Sequence, residues 1–180
     1  SRQKLAGKNL RGTRLAGAKM ESVDFREADL AGAHLRGANA KWANFSGAKL
    51  AKADLRNADL FLAIFDEAVL SDANLGGANL FGANLINAKA PRADFSGAYL
   101  KDILMEGIDL SGGSIRNCYA FRGVFLGAKL VGTDLSGADL RGAKFSTRLK
   151  GAELTSTRLE GARYDATTVL PLDDARAKAK

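Results

Sequence analysis

The sequence predicts an all-β solenoid, a chain wound into a coil of short extended segments. Two observations carry that prediction. A large apolar residue recurs at every fifth position from Leu5 to Phe145, running Leu5, Leu10, Leu15, Met20, Phe25, Leu30, Leu35 and onward. A small residue, most often alanine, stands two positions before each, as at Ala18, Ala28, Ala33, Ala38 and Ala43. A short fixed period of this kind means like units that cannot bury an apolar face alone and so stack on one another.

A helix does not fit the period. At about 100° per residue, five residues advance by about 500°, and the apolar centres would be scattered around every side of the axis. An extended segment fits. Residues two apart share a face and the residue between them points the other way. The triplets Ala28-Asp29-Leu30, Ala53-Asp54-Leu55 and Ala138-Asp139-Leu140 therefore turn Ala and Leu inward and Asp outward. The next two residues must turn a corner. There glycine is frequent: all but three of the twenty glycines (Gly76, Gly113 and Gly123) stand two positions after a centre, where freedom in φ is useful.

The repeated pattern, quoted from Ala73-Asn74-Leu75-Gly76-Gly77 and Ala78-Asn79-Leu80-Phe81-Gly82, resembles the pentapeptide-repeat proteins. That resemblance implies a right-handed quadrilateral parallel β-helix with four units per square turn. At twenty residues per turn, about eight turns form one domain over residues 1–164, roughly 40 Å long at about 4.8 Å per turn. Residues 165–180 leave the repeat and are expected to form a C-terminal capping segment, with a short helix in it.

Residues twenty apart then fall into columns. One inward column carries Phe25, Phe45, Phe65, Phe125 and Phe145, with Leu5, Leu85 and Met105 between them and Tyr164 at its end, a spacing that layers rings along the axis. Ala40, Ala90 and Ala120 are undersized centres. The beat breaks once: Leu149 follows Phe145 by four residues, which predicts an irregular corner near Ser146-Thr147. Bulky Ile103 and Ile108 occupy small positions, where Gly113 and Gly123 offer compensating space. At the start, Gln3, Lys8 and Thr13 fill inward positions, as suits an atypical terminal turn.

No residue set points to catalysis, a cofactor or a metal. His34 is the sole histidine and lies on an outward column. Cys118 is the sole cysteine and faces inward, where it acts as a compact apolar group. Neither has a second His or Cys to complete a metal site or a nucleophile–base pair. An enzyme is therefore not expected. No apolar run approaches the roughly eighteen residues that span a bilayer, and no apolar stretch follows the basic start as in a signal peptide. Cytoplasmic placement is favoured, with export open because the chain begins at Ser1.

Function is expected on the outside. One face carries Arg11, Lys49, Lys52, Lys89, Arg92, Lys129, Arg148 and Lys150 against Asp29, Asp72 and Asp109. An anionic partner, nucleic acid or membrane surface, is one reading; a solvated basic face is the favoured one, since no aromatic is interleaved for base stacking. The apolar signal is stronger. Phe61, Phe81 and Phe121 share an outward column, with Trp42, Leu62, Tyr99 and Tyr119 beside them. Around the next corner come Ile64, Leu104, Val124, Ile86 and Leu126. A ridge of roughly 400 Å² lies near the top of what monomers tolerate, and it predicts a protein partner or a second copy of the rod. The resemblance brings an alternative, because some pentapeptide-repeat proteins bind DNA gyrase by imitating duplex DNA. The net charge of +7 argues against that mimicry.

Overall fold

The computed structural model describes residues 4–148 and 157–164. The predicted capping segment 165–180, and the centres Leu149 and Leu154, lie outside them. Each unit adds one bridging residue to a parallel ladder, and bridges link residues twenty apart, as in Asp29↔Lys49, Lys49↔Val69 and Val69↔Lys89. Four five-residue units therefore close each coil. Among the described residues three stretches are longer: β1 (Val124–Lys129), β2 (Lys144–Arg148) and β3 (Arg163–Tyr164), paired in parallel in that order.

The backbone hydrogen bonds explain why the unit is five residues long. In the unit centred on Leu30, the amide of Asp29 donates to the Lys8 carbonyl of the preceding coil at 2.9 Å. The amides of Leu30 and Gly32 donate forward to Lys49 and Ala51 at 2.7 and 2.9 Å, and Ala33 closes the turn onto Leu30 at 2.9 Å. In the described units outside β1 and β2, the amide of the residue after the centre has no backbone acceptor, and at Pro91 there is no amide to satisfy. Wherever Asp or Asn precedes the centre, its side-chain oxygen takes this amide: Asp29 from Ala31, Asn74 from Gly76, Asp134 from Ser136. The recurrent outward acid or amide is thus an Asx turn that completes the accounting, and solubility is only its second effect. Asn74→Ala leaves the Gly76 amide without that acceptor and is expected to lower stability by about 1 kcal/mol, read as a shift in urea midpoint.

The corner requires positive φ at the second residue after each centre. Gly32 holds φ of 65° and Gly82 of 60°, and with the turn bond this is a type II turn, which favours glycine there. Non-glycine residues adopt the same conformation at this position, Asn57 at 55° and Leu62 at 52° among them. Glycine is therefore preferred at the corner, not obligatory.

The interior follows the predicted columns. Phe25 and Phe45 stack at 4.9 Å, Phe45 and Phe65 at 4.7 Å, Phe125 and Phe145 at 5.2 Å, all within 10° of parallel. Ala40, Ala90 and Ala120 are fully buried. Gly123 does compensate for Ile103: a Cβ there would come within 3.3 Å of an Ile103 methyl carbon. The break in the beat appears as a bulge. Leu126 pairs with Ser146, but Lys129 pairs with Arg148, so three steps along β1 match two along β2. Beyond it the bridges link residues nineteen apart, as in Asp139↔Arg158.

One inward assignment fails. Lys8 is exposed and Thr13 only half-buried. In the described first coil no earlier coil covers them, so the ammonium stays in water, and the Thr13 hydroxyl donates to the Leu10 carbonyl at 2.7 Å. Gln3 lies outside the described residues.

Candidate interaction surface

The units centred on Met20, Ala40, Leu60, Leu80, Leu100, Ala120 and Leu140 form one flat side of the rod. The residue after each centre points outward, so one column reads Glu21, Lys41, Phe61, Phe81, Lys101, Phe121, Arg141. The residue before each centre gives Tyr99 and Tyr119, paired across the ladder. The outward aromatics are not scattered. Trp42 meets Phe61 edge-on at 6.0 Å. Phe61 stacks on Phe81 at 5.4 Å, Phe81 on Tyr99 at 6.1 Å, Tyr99 on Tyr119 at 5.3 Å and Tyr119 on Phe121 at 6.2 Å. Interplanar angles along these stacked pairs stay within 17°. Lys101 lies over the Phe81 ring at 5.6 Å and Arg122 over Phe121 at 5.4 Å, as cations prefer.

This stack explains the exposures. Trp42 is 50% exposed, Leu62 41%, Tyr99 40% and Leu126 39%. Phe61, Phe81, Tyr119 and Phe121 are half-buried because they cover one another, and Ile64, Ile86, Leu104 and Val124, around the corner, are half-buried as well. Ring faces are occupied within the stack, leaving mainly edges outward, a geometry poorly suited to stacking nucleic-acid bases. Trp42 and Leu62 also occupy corner positions at positive φ, which costs a bulky residue about 1–3 kcal/mol. Leu62 leans over the next corner, where a Cβ on Gly82 would fall 2.5 Å from its methyl carbon. Below Trp42 an open groove of about 460 Å³ is lined by Val23, Asp24, Arg26, Asn44 and Ile64, among others. Val131, 46% exposed, is an apolar surface residue outside the predicted ridge, on the basic side.

On the basic side, Arg11, Lys49, Lys52, Lys89, Arg92 and Lys129 are exposed; the side chain of Arg148 and all of Lys150 lie outside the description. Its acids are interleaved with the cations. Arg11 reaches Asp29 at 3.3 Å, Arg92 grips Asp72 at 2.7 Å and Lys129 approaches Asp109 at 3.8 Å. The predicted excess of cations is therefore partly neutralised in place.

Among the described residues no group of three or more His, Cys, Asp or Glu could hold a metal ion, and no helix is long and apolar enough to cross a membrane. Burial pushes the Cys118 thiol up to about 12, so it is inert as a nucleophile at neutral pH. Arg26 and Arg56, through side-chain hydrogen bonds and their charge, hold Asp24 and Asp54 down at about 2, below the usual 3.8. Such acids stabilise the fold above about pH 4, and that contribution is lost as pH falls through about 2. Urea midpoints are expected to stay level from pH 7 to about 4 and then fall, with a shallower fall in Asp24→Asn and Asp54→Asn. Asp66 has the opposite sign. Desolvation, then the neighbouring Glu67, raises its pKa, and its Oδ1 is buried without a partner, so Asp66→Asn is expected to raise stability at pH 7.

The sequence profile described as pentapeptide repeats matches the chain in eight copies, over residues 1–30, 24–61, 63–102, 78–117 and 122–146. No curated protein matches it. A pentapeptide repeat protein of the Arabidopsis thaliana thylakoid lumen is 34% identical, over 54% of this chain and 68% of its own, with a TM-score of 0.54. QnrB1, a plasmid-mediated fluoroquinolone resistance protein, is 23% identical over 92% of both chains, with a TM-score of 0.57, a likeness of fold alone. With the profile spanning most of its length and a coil that closes every twenty residues, the chain belongs to the pentapeptide-repeat family.

Proposed function

We propose that this chain is a non-catalytic interaction scaffold whose contact surface is the outer aromatic stack from Trp42 to Phe121. The single observation that carries the reading is the continuity of that stack. Six aromatic side chains, each in ring contact with the next, run along one side of a rod whose other outward columns are mostly polar or small. Aromatic enrichment with few charges at the centre is the composition of an interface core, and Trp and Tyr are over-represented among the residues that dominate binding. Large apolar residues held at strained corners add support, since glycine fills most equivalent positions at no such cost.

The other classes have less support. On the basic side acids sit between the cations, which weakens the attraction for a polyanion. The positive net charge opposes imitation of duplex DNA, and a supercoiling assay with purified gyrase would expose that activity directly. The test of the scaffold reading is a photo-crosslinking residue placed at Phe81 in the producing cell, with His34 on another side as control. Protein adducts, to this chain or another, are expected from Phe81 and not from His34. Adducts from neither, or equally from both, would overturn the reading.

A further inference from the structure

The outward column on this side is self-complementary when reversed. Steps of one coil from Phe81 lead to Phe61 in one direction and Lys101 in the other; two coils lead to Lys41 and Phe121; three lead to Glu21 and Arg141. Each of these pairs attracts. Glu21 and Arg141 are opposite charges, the aliphatic stems of Lys41 and Lys101 lie against the outward ring edges of Phe121 and Phe61, and Phe81 meets its own kind. The flanking columns agree. A two-fold axis across the rod keeps each column opposite itself, so the same reversal sets Asp59 against Tyr99, Asn39 against Tyr119 and Trp42 against Arg122. It also sets Leu62 against Asp102, whose charge is held by its own Arg122 at 2.7 Å.

We infer that the occupant of this surface is a second copy of the chain, laid antiparallel across the first with a two-fold axis at Phe81. The inference rests on the scaffold reading above and names its partner. A two-fold contact requires that each surface be its own complement under reversal, and this column meets that requirement at every described position from Glu21 to Arg141. Pitch points the same way. The rungs recur once per coil, about 4.8 Å apart. A second rod keeps that phase over its whole length, whereas a helix of about 5.4 Å pitch drifts by about 3 Å over five rungs. A side roughly 20 Å wide over seven coils offers on the order of 700 Å², close to the ~800 Å² per partner of a stable interface.

The experiment uses the whole chain. Light scattering after size exclusion should give twice 19.0 kDa, and Phe81→Asp, which sets two carboxylates on the axis, should give a single chain with unchanged circular dichroism. Single cysteines then fix the geometry, because Cys118 is buried and silent to a short bismaleimide. Phe81→Cys should cross-link to itself. Lys41→Cys and Phe121→Cys, four coils apart in one chain, should each cross-link poorly alone and efficiently when mixed. Glu21→Arg and Arg141→Glu should each weaken the dimer, and the double exchange should restore it. A monomer at about 100 μM overturns the inference, while Phe81 adducts to a different protein would leave the scaffold reading standing. A dimer in which Lys41→Cys links to itself and the mixture adds nothing overturns the antiparallel geometry, and so does a double exchange that fails to rescue.

Discussion

Phe45→Ala is expected to lower the stability of the folded chain by about 3–5 kcal/mol. Phe45 is fully buried, with the Phe25 ring 4.9 Å away on one side and the Phe65 ring 4.7 Å away on the other. Removing it opens a cavity that the neighbours cannot close, because the coils above and below are pinned by the ladder: the Phe45 amide donates to the Ile64 carbonyl at 2.7 Å on one side, and the Phe25 amide donates to the Asn44 carbonyl at 2.7 Å on the other. The same column tolerates Leu85 and Met105, both fully buried. Phe45→Leu should therefore cost only about 1 kcal/mol, the size of an aromatic pair's contribution beyond its buried area. Urea denaturation of the three proteins checks the order. Equal losses for the alanine and leucine variants would mean that stacking, and not volume, dominates the column.

Gly113→Ala is expected to cost about 1–3 kcal/mol, for a reason unlike that of the corner glycines. Gly113 stands at a small inward position, where an added Cβ would fall 2.7 Å from the Ala93 carbonyl oxygen and 2.7 Å from a Leu110 methyl carbon. The carbonyl cannot give way, because it accepts the Ser114 amide at 3.0 Å and so holds two coils together. Gly97 makes the contrast. Nothing lies within 4 Å of a Cβ there, and only its φ of 68° opposes a side chain. Gly97→Asn should be nearly neutral, since Asn57 and Asn117 adopt that conformation in the same column, whereas Gly113→Asn should be worse than Gly113→Ala. Thermal unfolding of the three variants and the parent reads this directly. A Gly113→Asn protein as stable as the parent would show that the coils can separate locally.

The fold was legible because its signal is repeated in every unit. A single Ala-Asp-Leu triplet says little, but the same triplet at a fixed interval leaves one geometry in which Ala and Leu stay dry. The outward ridge was legible for the same reason: Phe61, Phe81 and Phe121 differ by whole coils, so one register places all three. Other features were not legible because they depend on how corners offset successive coils. Phe81 stacks on Tyr99 and Tyr119 on Phe121, across two columns, a diagonal that column arithmetic does not show. The sequence places the Asp and Asn outward but does not show their role, which depends on the amide that the ladder leaves over beside them, as at Gly76. The interleaved ion pairs of the basic side, such as Arg92 with Asp72, needed side-chain reach and not only charge counting. Val131 was passed over because its column is otherwise small or polar. At the first described coil the repeat assigned Lys8 inward, where a long cation with no described coil over it takes the shorter route to water.

Trp42 is the only tryptophan and stands at one end of the outer stack, so its fluorescence reports whether this surface is a contact. Acrylamide quenching, measured on dilution from about 100 μM to below 1 μM, decides the matter. Quenching is predicted to rise as the wild-type protein is diluted and to be high and independent of concentration in Phe81→Asp. Equal quenching in both proteins at every concentration would contradict the account.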